Sequence, residues 1–193
     1  MKIYTDFNAE WLQWLAPERF NDADLFRIVV FFVFHSPCPE LSSMGKRLSD
    51  YNWNTPWRKP FYLNRHLKQA SSNPKLLFSS STYEKMSDAL SKANLLTTFP
   101  DDIKTERVCI YDNMHNQFLS VFYHLRNSFA HCRLNIVDVD GEYYFVMEDI
   151  IKEKQKGTYR QKVTARMILR KKTLLNWIDI IEAGEKEFKA SPD

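Results

Sequence analysis

The sequence predicts a mainly α-helical fold: a bundle of helices with a β-hairpin, or short antiparallel strands, inserted ahead of the C-terminal helix. Three observations predict it. Phe118, Val121, Phe122, Leu125 and Phe129 recur at i, i+3, i+4, i+7 and i+11, the period of an amphipathic helix. The run at 25–34, LFRIVVFFVF, is apolar nearly all round, as a central buried helix would be. From Leu134 the pattern changes to period two about an Asp140-Gly141 turn, which marks a hairpin.

Taken in order, Thr5 or Asp6 caps a first helix over about 7–15, stopped near Pro17. Asn21 or Asp22 caps a second over about 24–35. The SPCP turn at 36–39 ends it, because proline lacks an N–H and pushes its predecessor out of helix. A strand is the competing assignment here, given Val29, Val30 and Val33. The segment 40–73 contains WNTPWRKP, whose prolines and tryptophans read as a loop or a short broken element, followed by a helix over about 61–70. Asn73-Pro74 marks a turn, and the hydroxyl run at 79–82 caps a helix over 83–96 with Met86, Leu90 and Ala93 on one face. Asp101 or Asp102 then caps a long helix over about 103–132. Strands follow at 134–139 and 142–148, a further strand-like stretch at 159–169, and a last helix over 171–188 with Trp177, Ile178, Ile181 and Phe188 turned inward. The 193 residues read as one domain over 1–193, long enough to bury a core, with the hairpin region at about 134–169.

Composition excludes several classes. Only 4 glycines are present and no Gly-rich phosphate loop occurs. Cys38, Cys109 and Cys132 are odd in number and far apart, so neither a zinc site nor a disulfide scaffold is indicated, and reduced cytoplasmic thiols are the simple reading. The charged N-terminal stretch lacks the apolar region of a signal peptide, and the longest apolar run, 28–34, is too short to span a bilayer. No HxxxH with an acidic partner and no acidic cluster appears, so no metal and no cofactor is expected. A net charge of +3 permits contact with phosphate without requiring it.

The chemistry concentrates on the helix at 113–133, NMHNQFLSVFYHLRNSFAHCR. Ser120, His124, Asn127 and His131 fall opposite its apolar side, and Arg126 lies between the two sides. His35, His66 and His115 have no such company. Cys132 beside His131 is no nucleophile pair, since helix neighbours point about 100° apart.

Arg126 and His131 are separated by four residues, with the polar Asn127 directly after the arginine. This resembles the Rx4-6H signature of HEPN domains (higher eukaryotes and prokaryotes nucleotide-binding), many of which are metal-independent ribonucleases. It looks closest to small members from bacterial and plasmid toxin or defence systems. The resemblance implies an all-helical bundle that pairs as a homodimer through the motif helices. Two copies of Arg126 and His131 then share one cleft, cutting RNA to a 2′,3′-cyclic phosphate and a 5′-hydroxyl. Arg126 would contact the phosphate, since its planar fork matches phosphate oxygens and stays charged. His131 would move protons, since imidazole titrates near neutral pH. Asn127 would orient the helix pair or the substrate. His124, one turn before Asn127 on the same face, reads as a second imidazole for the site or else as a dimer-interface or solvated histidine. An antitoxin or regulatory partner is implied. The tyrosine that toxins of the HEPN–nucleotidyltransferase pairs often carry two residues after the histidine is here Arg133.

In the strand-like stretch, Arg160, Lys162 and Arg166 alternate with Gln161, Val163, Ala165 and Met167. One face of that ribbon would be basic, either as an RNA-tracking surface or as an ordinary solvated edge. Trp53 and Trp57 read as core or loop anchors rather than as base-stacking groups.

Overall fold

The structure, a computed structural model, describes residues 2–3, 23–38, 44–58, 62–96, 102–114, 116–155 and 158–188. The first expected helix, its caps and those of the second, and Asp101 lie outside them. At the centre is a mixed sheet, so the expectation of a mainly α bundle with an inserted hairpin is corrected to an α/β fold. In chain order the elements are β1 (Lys2–Ile3), α1 (Ala23–Val30), α2 (Leu63–Gln69), β2 (Leu77–Ser80), α3 (Met86–Lys92), β3 (Arg107–Tyr111), α4 (Gln117–Ala130), β4 (Leu134–Val139), β5 (Glu142–Gln155), β6 (Thr158–Arg170), α5 (Lys171–Ala183) and α6 (Glu185–Phe188). The sheet runs β2-β3-β6-β5-β4, with β1 beside one end of β6. β2 and β3 are parallel, while β3, β6, β5 and β4 alternate in direction.

Each face of the sheet has its own core. Val108, Ile110, Phe145, Met147, Ala165, Met167 and Leu169 face α1, α4 and α5, where Phe118, Phe122 and Trp177 pack edge to face. Cys109, Tyr144, Val146 and Ile168 point the other way, toward Met86 and Leu90 of α3. The period-two alternation of β5 thus feeds both cores.

Several expected elements are present. The run at 25–34 is helical, α1 continuing through a π-helical turn at Phe31–His35 that buries Phe31 and Phe32. α2 and α3 fall within the expected ranges, and the hairpin turns at Asp140-Gly141, both at positive φ as a type I′ turn requires. The C-terminal helix breaks at Gly184, whose φ of +75° separates α5 from α6. Trp53 is a core anchor, its indole N–H donating to the Ile181 carbonyl at 2.9 Å.

The long helix expected over 103–132 is a strand followed by a shorter helix. RVCIY of β3 is buried on both faces, so it carries no alternation to betray a strand. Asp102 accepts from the backbone and hydroxyl of Thr105 ahead of β3 and caps no helix. The cap of α4 is Asn116, whose side-chain oxygen accepts from Phe118 N at 2.8 Å and Leu119 N at 3.4 Å. The helix ends in a Schellman turn: Cys132 N donates to Phe129 O and Arg133 N to Ser128 O. Cys132 takes the left-handed position at φ +51°, where glycine is usual.

Candidate functional site

α4 lies between helices on one side and the sheet on the other. Its apolar side is buried as the spacing predicts: Phe118, Val121, Phe122, Leu125 and Phe129 all lie in the first core. Much of its polar side is buried too, because it packs on the ends of β3 and β5. Ser120, His124 and Ser128 are at most 1% exposed. The expectation of His124 as a second catalytic imidazole, or as a solvated or interface group, is therefore corrected: the ring is a core residue.

Buried polar groups need partners, and these have them. Ser120 Oγ donates to Asp112 Oδ1 at 2.7 Å. His124 Nδ1 lies 2.7 Å from Asp149 Oδ2, and its Nε2 lies 2.8 Å from the carbonyl of Tyr111. A carbonyl only accepts, so Nε2 carries hydrogen and one further proton is held between Nδ1 and the carboxylate. Asp149 also accepts from Asn127 Nδ2 at 3.2 Å, and Asn127 Oδ1 accepts from Arg126 Nη1 at 3.1 Å. The chain Arg126–Asn127–Asp149–His124–Tyr111 thus runs from the surface of α4 to the end of β3. It fixes the Asn127 amide and, through it, the guanidinium.

Asp149 is absent from the sequence-based set. The signal was there: extending the alternation of Phe145 and Met147 by one step puts an acidic residue at an inward position. Beside it the register of β5 and β6 shifts, Asp149 pairing with Ala165 and Ile150 with Val163, so Thr164 is an extra residue. Bulges of this kind re-aim side chains next to functional sites.

Arg126 differs in one respect from the two arginines that share its unpartnered Nε. Arg126, Arg133 and Arg170 each have a buried Nε without a hydrogen-bond partner. Arg133 pairs with Glu148, and Arg170 with Glu142 at 3.4 Å. Among the described residues, Arg126 bonds only a neutral amide and has no carboxylate. It is a positioned cation with donors to spare.

His131 caps the C-terminus of α4, is exposed, and has no side-chain hydrogen bond among the described residues. Five residues of helix separate it from Arg126 by about 140° and roughly 7.5 Å of rise, so within one chain the two do not converge. The structure joins Arg126, Asn127 and His124 through Asp149, and leaves His131 outside that chain.

The basic ribbon face is not formed. β6 is interior to the sheet, and the extra residue at Thr164 breaks the alternation that placed Lys162 and Arg166 together. Arg166 is fully buried, which corrects its assignment as an RNA contact. Its Nε donates to Glu148 Oε2 at 2.9 Å, and its Nη1 to the carbonyls of Leu95 at 2.9 Å and Leu96 at 2.5 Å. Burial holds its pKa below the usual arginine value. Lys162 is tied to Glu153 at 2.8 Å and lies over the Tyr83 ring. The Arg160 side chain lies outside the described residues.

Among the described residues no three His, Cys, Asp or Glu side chains are grouped to hold a metal ion, and no helix is long and apolar enough to cross a membrane. No family model matches the chain, and no curated protein or solved structure matches it significantly, so the case for this site rests on its geometry.

Proposed function

We propose that the chain is a metal-independent endoribonuclease that takes an RNA phosphate at Arg126 and moves protons through His131. The carrying observation is a guanidinium held by the Asn127 amide, which Asp149 fixes in turn, and bonded to no carboxylate among the described residues. Such a group accepts an oxyanion, and phosphate suits its planar fork. His131 stands exposed at the end of the same helix, free to reach a 2′-hydroxyl or a leaving oxygen.

One chain supplies too little. Leu119, Tyr123, Arg126 and Asn127 are only partly covered, while Ala130 and His131 are exposed, so α4 keeps an outward strip. Two such strips facing each other in a homodimer would bring the arginine of one chain toward the histidine of the other. The Arg-Asn…His chemistry follows the HEPN resemblance, though the helical bundle does not. A cytoplasmic role as a toxin or defence effector restrained by an antitoxin rests on that resemblance alone.

Binding without cleavage is the second reading. It is favoured by a His131 ring that no group among the described residues orients, because general acids and bases are normally oriented by a neighbour. Incubating wild type and His131→Ala with mixed RNA in EDTA separates the two. The nuclease reading expects 2′,3′-cyclic phosphate ends from wild type only. Cleavage that needs added magnesium, or that persists in His131→Ala, defeats it.

A further inference from the structure

The chain leaves its two parallel neighbours, β2 and β3, toward opposite faces of the sheet. After Ser80 it enters α3, whose Met86 and Leu90 belong to the core of the second face. After Tyr111 it enters α4, whose Phe118 and Phe122 belong to the core of the first. Connections that part in this way open a crevice beyond the carboxyl ends of the strands, and in open α/β sheets ligands bind there.

Two polar cavities flank these strand ends, one beside β2 and α3 and the other beside α2 and the segment after β3. One, of about 270 Å³, is lined by Ser79, Ser80, Ser81, Lys85, Asp88 and Lys92. The other, of about 230 Å³, is lined by Asn64, Lys68, Asp112, Asn116 and Gln117. A hydrogen bond of 3.0 Å from Gln117 Nε2 to Ser79 Oγ links their walls, Gln117 lining one and Ser79 the other. The two cavities are therefore neighbours, each with its own lining, on either side of that bond.

Their chemistries differ. In the first, Ser79 accepts from Gln117 and keeps its own O–H to donate. Lys85 and Lys92 have no carboxylate partner among the described residues, and Asp88 offsets one of their charges. Hydroxyl donors with a net positive charge suit a phosphate group. In the second, side-chain amides dominate. Asp112 gives Oδ1 to Ser120, and its Oδ2 has no partner among the described residues. That compartment suits an uncharged body rich in hydroxyl or amide groups.

We propose that this crevice binds a phosphomonoester with a polar body, the phosphate between Ser79 and the two lysines and the body against Asn64, Asp112 and Gln117. A sugar phosphate and a nucleoside monophosphate share this chemistry. The site is separate from Arg126, which lies nine residues beyond Gln117 and about 14 Å along the axis of α4. It stands or falls independently of the nuclease reading.

Calorimetric titration of the full chain with ribose 5-phosphate, adenosine monophosphate, adenosine and inorganic phosphate tests it. At least one ester is expected to bind roughly tenfold or more tightly than phosphate or adenosine alone. Binding by both esters points to the sugar phosphate portion, and binding by the nucleotide alone to recognition of the base. The double variant Lys85→Ala/Lys92→Ala, at exposed positions that should leave the melting temperature unchanged, is expected to weaken the ester by roughly tenfold or more. Asn64→Ala should weaken the ester and not inorganic phosphate. Silence from every ligand at millimolar concentration, esters no tighter than phosphate, or wild-type affinity in the lysine variant overturns the assignment.

Discussion

His124 Nδ1 and Asp149 Oδ2 lie 2.7 Å apart, with the two side chains 1% and 2% exposed. Each is the other's main reason for being tolerated inside the protein. Removing one strands the other in a medium that solvates it poorly.

His124→Leu or Asp149→Leu alone is therefore expected to cost about 3–5 kcal/mol. The double variant should cost clearly less than the two singles summed, because neither group is then left behind. Urea unfolding of the four proteins measures this. Strict additivity would show that the pair is not coupled.

Arg126→Ala is expected to weaken RNA binding uniformly across sequences and to reduce the slope of log affinity against log salt by about one, as the loss of one phosphate contact does. Stability should change little, because the side chain is only partly buried and its one hydrogen bond among the described residues is to the Asn127 amide. An unchanged salt slope would remove Arg126 from the binding surface.

The sequence made the face of α4 legible because five apolar residues at helical spacing leave little choice of period. The hairpin was legible because Asp140-Gly141 fits a turn that needs two positive φ angles. The sheet was not. β3 is short, buried on both sides and parallel to β2, so its partner lies across a crossover, and neither strand shows alternation. The fate of His124 and Arg166 was hidden for the same reason. A polar residue opposite an apolar stripe looks solvated until something packs on it, and here β3, β5 and the segment after α3 do.

Cys132→Gly should raise stability by about 0.5–1 kcal/mol, since the left-handed position that closes α4 penalises any side chain with a Cβ. Thermal melting checks the sign. In the native protein a thiol reagent should label Cys132 alone, with Cys38 and Cys109 reacting only on unfolding, because those two are buried.

Alkaline conditions should destabilise the fold early. Burial raises the Tyr51 and Tyr83 hydroxyls from 10.0 to about 12, and the Cys109 thiol from 9.0 to about 12. These folded values lie above the unfolded ones. Their contribution is complete below pH 9 and is lost as the pH climbs toward 12, because the unfolded chain sheds protons that the folded chain keeps. The urea midpoint should fall across that window, and more shallowly for Tyr83→Phe between pH 10 and 12.

Gly184→Ala should cost about 1–3 kcal/mol from its backbone angles alone, and more from contact, because a Cβ there would sit 2.6 Å from the Tyr51 carbonyl oxygen. The same junction carries Glu185, whose carboxylate accepts from Thr55 N at 2.5 Å, so the substitution should also loosen that loop. Hydrogen exchange at Thr55 reports it.

Arg166 draws its acceptors from Glu148, 18 positions away, and from Leu95 and Leu96, 71 and 70 positions away. Zipping β5 to β6 sets Glu148 against the guanidinium at once, but the segment after α3 must arrive before its two carbonyls can accept from Nη1 and the pair is buried. The site is thus closed only by a contact about 70 positions away in the sequence, and long-range closure of that kind is slow next to the β5–β6 hairpin.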